Sequence, residues 1–409
     1  MTPPRPRPAS RGRRRAPRAL PVLATAVTLA LLAAAPARAD VIRDQEWALD
    51  ALHTQDAWRT TKGAGITVAV LDTGVDEGHP DLRGRVLPGK DLIGFGAGPG
   101  DRAWARHGTA MAGIIAGRGH GEGDADGVTG VAPEARILPV RVILEDGDPA
   151  RAKARGARGG ALADGIRWAA DHGADVINLS LGDDSDTAHP EPREDAAVQY
   201  ALAKGAVVVA SAGNGGERGD HVSYPAAYPG VIAVTAVDRY GARAPFSTRR
   251  WYATVSAPGV DVVIADPDRR YYEGWGTSAA AAFVSGAAAL VRAAHPGLSP
   301  AQVRELLTET AQDPPPGGRN DELGAGLVDP AAAIARAAGE RPGSRTAARP
   351  PRYFGTGPRP ARGAAGNGAP SPPALTAAGS GITLLILAAA LTLRPRTTVR
   401  PDPVPPPPA

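Results

Sequence analysis

The sequence predicts an α/β fold, a mostly parallel central sheet flanked by helices. Three observations carry that expectation. Near-continuous apolar, β-branched runs of strand length recur along the middle of the chain. Alanine-rich stretches with apolar residues at helical spacing lie between them. The two kinds alternate in regular succession, as strands joined by helical crossovers do.

In chain order, the strand candidates are Ile66 to Leu71, Ile137 to Val142, Asp175 to Leu179, Ala206 to Ala210 and Val231 to Val237. Their lack of polar alternation is what burial on both sheet faces requires. Ala161 to His172 and Pro192 to Lys204 supply intervening helices. Ser299-Pro300-Ala301-Gln302 combines an N-cap, a first-turn proline and a capping-box partner, and so predicts a helix over Pro300 to Thr310. In sheets of this kind, sites gather at the carboxyl ends of the strands.

The folded unit is expected over residues 66–339, after an N-terminal extension at 40–65. Residues 1–39 read as a signal peptide: a basic run Arg11 to Arg18, an apolar Ala19 to Ala35 and an A-x-A site at Ala37-Arg38-Ala39. Residues 340–373, rich in Pro, Arg, Gly and Ala, read as an extended linker. Ala374 to Leu393 is free of charge and about as long as the ~20 residues that span a bilayer core. With Arg394, Arg396 and Arg400 following, it is expected to be a transmembrane helix with residues 394–409 as a cytoplasmic tail. The protein is thus expected to be an exported, single-pass protein of the cell membrane, its folded unit outside the cytoplasm.

The net charge of +4 conceals an uneven distribution. Eight Arg and no acid occupy the first 39 residues, and nine Arg against two acids occupy residues 340–409. The middle is therefore acidic, which argues against nucleic acid as a partner. The absence of cysteine removes thiol nucleophiles, disulfides and thiolate metal sites together. No acidic cluster has convincing ligand spacing, so neither metal nor cofactor is expected. The glycines of Gly63-Ala64-Gly65 precede the first strand instead of following it, which leaves little for a nucleotide-binding reading.

Three residues stand at element ends in small-residue company. Asp72 follows the first strand in Val70-Leu71-Asp72-Thr73-Gly74, His107 opens an alanine-rich helix in Arg106-His107-Gly108-Thr109, and Ser278 opens another in Gly276-Thr277-Ser278-Ala279. Taken singly, a turn carboxylate, a helix-start histidine and an N-cap serine are their ordinary meanings. Together they have the chemistry of an activated nucleophile. A serine hydroxyl attacks poorly until an imidazole takes its proton, and the imidazole needs a carboxylate to fix its tautomer and stabilise its charged form.

These segments, in the order Asp, His, Ser, resemble the catalytic signatures of the subtilisin-like serine proteases. Further matches lie between them: Gly130-Val131-Ala132-Pro133, Asn178-Leu179-Ser180-Leu181-Gly182 and Ala212-Gly213-Asn214. The resemblance implies a catalytic triad of Asp72, His107 and Ser278 and an oxyanion donor in Asn214. It also implies a substrate-binding wall that includes Ser180, Leu181, Gly182 and Gly213, with Ser223 nearby. Ala279 and Ala282 depart from the family pattern, which commonly has Met and Pro there. The short extension, proline-rich linker and single C-terminal apolar helix are similar to the mycosins, membrane-anchored members associated with type VII secretion. That likeness implies a serine endopeptidase acting on exported polypeptides, with type VII secretion components as partners. It leaves open a chiefly structural role in a secretion complex. The insertion Glu145 to Gly160, with Arg151, Lys153, Arg155 and Arg158, reads equally as a solvated loop and as a partner-facing segment.

Overall fold

The computed structural model describes residues 41–341 and Gly343. The expected signal peptide, transmembrane helix and tail, with all but the start of the linker, lie outside the described residues. In chain order the elements are helices α1 (Val41–Asp44), α2 (Trp47–Ala51) and α3 (Thr54–Trp58), strands β1 (Thr67–Asp72) and β2 (Lys90–Asp91), and helix α4 (Arg106–Ala116). Strands β3 (Arg118–His120), β4 (Asp126–Thr129) and β5 (Arg136–Arg141) follow, then helices α5 (Arg151–Ala157) and α6 (Ala161–Asp171), β6 (Val176–Leu179), and α7 (Pro192–Lys204). The last part contains β7 (Val207–Ser211), β8 (Ile232–Val237), β9 (Ala253–Pro258), β10 (Val262–Ala265), β11 (Tyr271–Gly274), α8 (Thr277–Ala294), α9 (Pro300–Glu309) and α10 (Pro330–Ala337).

Seven strands form the central sheet in the order β2-β5-β1-β6-β7-β8-β9. Every pairing in it is parallel. The five strands expected from the sequence occupy five of these places, each within about a residue of its expected bounds. Alternate residues serve opposite faces, as strand geometry requires. Val68 and Val70 of β1 join one core with α4 and α8, whereas Ala69 and Leu71 join a second core with α6 and α7. Both faces are covered, so the strands can be apolar throughout. The capping box of Ser299 and Gln302 is present at α9.

Among the described residues, α8 is the one helix long and apolar enough to cross a membrane. It is instead a core helix, with 83% of its apolar window buried inside the protein.

Several features were not read from the sequence, among them β2, the β3–β4 and β10–β11 pairs and α10. Strand β9 closes the sheet on one side. The insertion after β5 contains a helix, α5, in place of a loop throughout, with Ala154 buried beneath it. Residues 41–58 are not an appendage either: Leu49 and Leu52 belong to the main core, and Trp58 Nε1 donates to the Val131 carbonyl at 2.8 Å.

Candidate active site

Asp72 is the last residue of β1, at the carboxyl edge of the sheet, and is fully buried. Its Oδ1 accepts the backbone N–H of Thr73 at 2.7 Å, which turns the carboxylate back over the strand end. The next turn decides where α4 can lie. A Cβ on Gly108 would come within 1.9 Å of the Gly74 carbonyl oxygen, so only glycine lets the helix settle against that turn. Two hydrogen bonds stitch the contact: the Gly108 N–H donates to Thr73 Oγ1 at 3.1 Å, and the Asp76 N–H donates to Thr109 Oγ1 at 2.9 Å. His107 is thereby delivered to Asp72, and its Nδ1 lies 2.9 Å from both carboxylate oxygens.

The carboxylate on Nδ1 selects the tautomer that leaves Nε2 free to accept a proton. Burial pulls the imidazole pKa down. The charge and hydrogen bond of Asp72, with Glu145 and Asp146 behind them, outweigh that and raise it to about 9. The side chain keeps 36% of its surface exposed, so a substrate can reach it.

Ser278 lies in the first turn of α8, after Gly276, whose φ of +138° a side chain would strain. Its Oγ donates to the Ser180 carbonyl at 3.0 Å, and in return Ser180 Oγ donates to the Ser278 carbonyl at 2.8 Å. This pair clamps the Ser278 turn to the end of β6. The hydroxyl thus points at Ser180, and no hydrogen bond joins it to His107. Both residues line one open cleft of about 490 Å³, together with Met111, Glu145, Trp275 and Ala279.

Asn214 follows β7, and its side chain is committed on one side. Its Oδ1 accepts from the N–H and Oγ1 of Thr277, at 3.0 and 2.9 Å. Because a backbone N–H can only donate, the oxygen must face Thr277, and the amino group is left for another acceptor. The position a Cβ would take on Gly276 lies 3.8 Å from Asn214 Nδ2 and 3.7 Å from the Ser278 N. Both nitrogens therefore lie near one point beside the Ser278 turn, which is what two donors to a shared oxygen need.

The residues expected to form a substrate wall lie in neighbouring segments, with Ser180 bonded to the Ser278 turn. Leu181 is half-buried against the core on the α6 and α7 side, and its carbonyl accepts Ser211 Oγ at 3.4 Å. A Cβ on Gly182 would lie 2.8 Å from Ser223 Oγ. One on Gly213, at φ +108°, would lie 2.9 Å from Thr248 Oγ1 and 3.1 Å from the Ser223 Cβ. Ser223 is fully buried between the two glycines, so both wall positions exclude larger residues. Two contributors escaped the sequence reading. Asp184 Oδ2 accepts the Asn214 N–H at 2.9 Å, and Glu145 Oε1 accepts the His107 N–H at 2.8 Å. Each is one acid in a loop rich in them, without a local signal to distinguish it. Among the described residues, no group of three or more His, Asp or Glu stands together as a metal site.

A model of the subtilase family matches residues 63–326. The chain is 43% identical over 260 residues to the thermophilic serine proteinase of Bacillus sp. (strain AK1), covering 63% of this chain and 60% of that protein. With subtilisin BL of Lederbergia lenta it shares 39% over 279 residues, 67% of this chain and 93% of the relative. It spans 44% of the length of fervidolysin from Fervidobacterium pennivorans, at 38% identity over 322 residues that are 72% of this chain. Among solved structures, MycP1 from Mycobacterium smegmatis superposes with a TM-score of 0.62 at 33% identity, covering 76% of this chain and 89% of that one. MycP3 from the type VII (ESX-3) secretion system superposes with a TM-score of 0.58 at 35% identity, covering 70% and 87%.

Proposed function

This chain belongs to the subtilase family, and from that membership we propose that it is a serine endopeptidase acting through Asp72, His107 and Ser278. The observation that carries the proposal is the pairing of His107 Nδ1 with both oxygens of a buried Asp72, beside a serine that heads a helix. In the reaction, Ser278 Oγ turns from the Ser180 carbonyl toward Nε2, gives up its proton there and attacks the scissile carbonyl. The oxyanion that forms accepts from Asn214 Nδ2 and the Ser278 N–H. Imidazolium is stabilised by Asp72, then protonates the leaving amine, and an acyl-enzyme remains on Ser278. Water enters with His107 again as base and releases the acid product. Labelling of the full chain with a fluorophosphonate probe, expected to be complete and to vanish in Ser278→Ala, tests the proposal. Labelling that survives the substitution would refute the assigned nucleophile.

The role we infer is that of a tethered, extracytoplasmic peptidase processing exported polypeptides of a type VII secretion system. Support comes from the MycP1 and MycP3 neighbours, whose structures are described as type VII secretion proteases. It comes also from the apolar segment Ala374 to Leu393 with its arginine-rich flank, and from the signal-like N-terminus. Cell fractionation tests the tether: the full chain should resist alkaline extraction from membranes, and a chain ending at residue 373 should not. A structural role is the second reading, because one MycP1 neighbour is described as an essential component of its secretion system. Secretion that persists in Ser278→Ala cells but fails without the protein would favour it.

A further inference from the structure

We propose that Glu145 is a positioning residue of this active site, its carboxylate holding the His107 end of α4 in place from a neighbouring loop. The inference rests on the reading of His107 as general base. Helix α4 has no cap of its own, because Ala105 occupies the N-cap position at φ +54° and offers no side-chain acceptor. The first N–H groups of a helix need outside partners. Here the His107 N–H donates to Glu145 Oε1 at 2.8 Å and the Gly108 N–H to Thr73 Oγ1 at 3.1 Å, while the Thr109 N–H already closes on the Ala105 carbonyl. The two outside acceptors grip the backbone of the catalytic histidine and of its neighbour.

The loop that carries Glu145 is itself anchored to the site. Strand β5 lies beside β1 with Arg141 in register with Asp72, and the Val142 N–H donates to the Asp72 carbonyl at 2.9 Å. Glu145 therefore measures the position of α4 against the same strand end that presents the carboxylate to the imidazole. A carboxylate also suits the positive end of a helix dipole. The charged groups around the imidazole are Asp72 from β1, Glu145 and Asp146 from the β5 loop, Arg106 and Arg102 from α4 and the segment before it, and Asp266 after β10. Asp146 is paired with Arg151 at 2.7 Å, and Arg106 with Asp266 at 2.7 Å.

Two substitutions separate geometry from charge. Glu145→Gln keeps an oxygen for the His107 N–H and removes the charge, whereas Glu145→Ala removes both. In the peptidase assay at the alkaline plateau, Glu145→Ala should lower kcat by about tenfold with KM within about twofold, a fraction of what an ångström of misplacement costs. Glu145→Gln should restore kcat to within about twofold of wild type. Independently of turnover, the full chain with 13C-labelled histidine and Ser278→Ala should show the His107 midpoint near 9 falling by about one pH unit on Glu145→Gln. An unchanged kcat in Glu145→Ala overturns the positioning role even if the titration moves. So does a loss that Glu145→Gln fails to restore. If Glu145→Ala does not fold, Glu145→Leu, which fills the space without an acceptor, takes its place, and an unchanged kcat there overturns the proposal. An inactive wild type refutes the peptidase reading, whereas an active wild type with an unchanged Glu145→Ala refutes this proposal alone, so the two failures remain distinct.

Discussion

Asn214 is an amide with two faces, and Thr277 decides which one the active site receives. With Oδ1 held by two donors from the turn that bears the nucleophile, Nδ2 is presented without further rotamer cost when charge develops on a substrate oxygen. Asn214→Leu should accordingly lower kcat by about a hundred- to a thousand-fold with little change in KM, the magnitude known from subtilisin itself. Steady-state kinetics on a peptide substrate checks it. At His107 the sign of the pKa shift sets the pH dependence. The base must be neutral to accept the serine proton, and its pKa is raised to about 9, so kcat/KM should climb as pH passes through that value. An acid limb centred at the ordinary histidine value near 6.5 would contradict the electrostatics described for the site.

At the scale of elements, the site is a meeting of three ends: the carboxyl edge of β1, the first turn of α4 and the first turn of α8. Gly108 is the contact on which the first two depend. A methyl group there would meet the Gly74 carbonyl at 1.9 Å, and because that atom is backbone, the helix itself has to move. Gly108→Ala should cost about 1–3 kcal/mol of stability, seen as a lowered thermal midpoint, and should reduce activity more than that loss alone explains. Elements were legible where their burial was simple. Strands β1, β6 and β7 lie at the centre of the sheet, so both faces are apolar and the run announces itself. Strand β9 lies at the edge as Ala-Thr-Val-Ser-Ala-Pro, its buried Thr254 and Ser256 finding polar partners within the fold, and so shows no apolar run. Helix α5 buries one side chain beneath four basic residues at 151–158, too little for a helical period to emerge.

For the molecule as a whole, residues 41–58 matter more than their place before the first strand suggests. Arg43 donates to the carbonyls of Gly127 and Asp124, each at 2.6 Å, and Gln312 Nε2 donates to the Ala51 carbonyl at 3.1 Å. The segment thus ties a loop near β4 to the region before α10, and Leu52 is wholly enclosed by the result. Leu52→Ala should destabilise the folded protein by about 2–5 kcal/mol in denaturant melts, the range for emptying a sealed aliphatic site. An exposed, dispensable extension would show almost no change.

What the amino-acid sequence determined by itself was local chemistry: which runs must be buried on both faces, which residues can start or stop a helix, and which three side chains have the makings of a nucleophile, a base and its partner. Those properties are written within a few residues of each position. Only the tertiary structure decided that Asp72 and His107 meet at 2.9 Å, that Thr277 orients the Asn214 amide, and that Glu145, out of many acids, caps the catalytic helix. Each of those facts joins residues some 35 to 63 positions apart, and their spacing in space is set by how the sheet stacks its strand ends, which no stretch of neighbouring residues encodes.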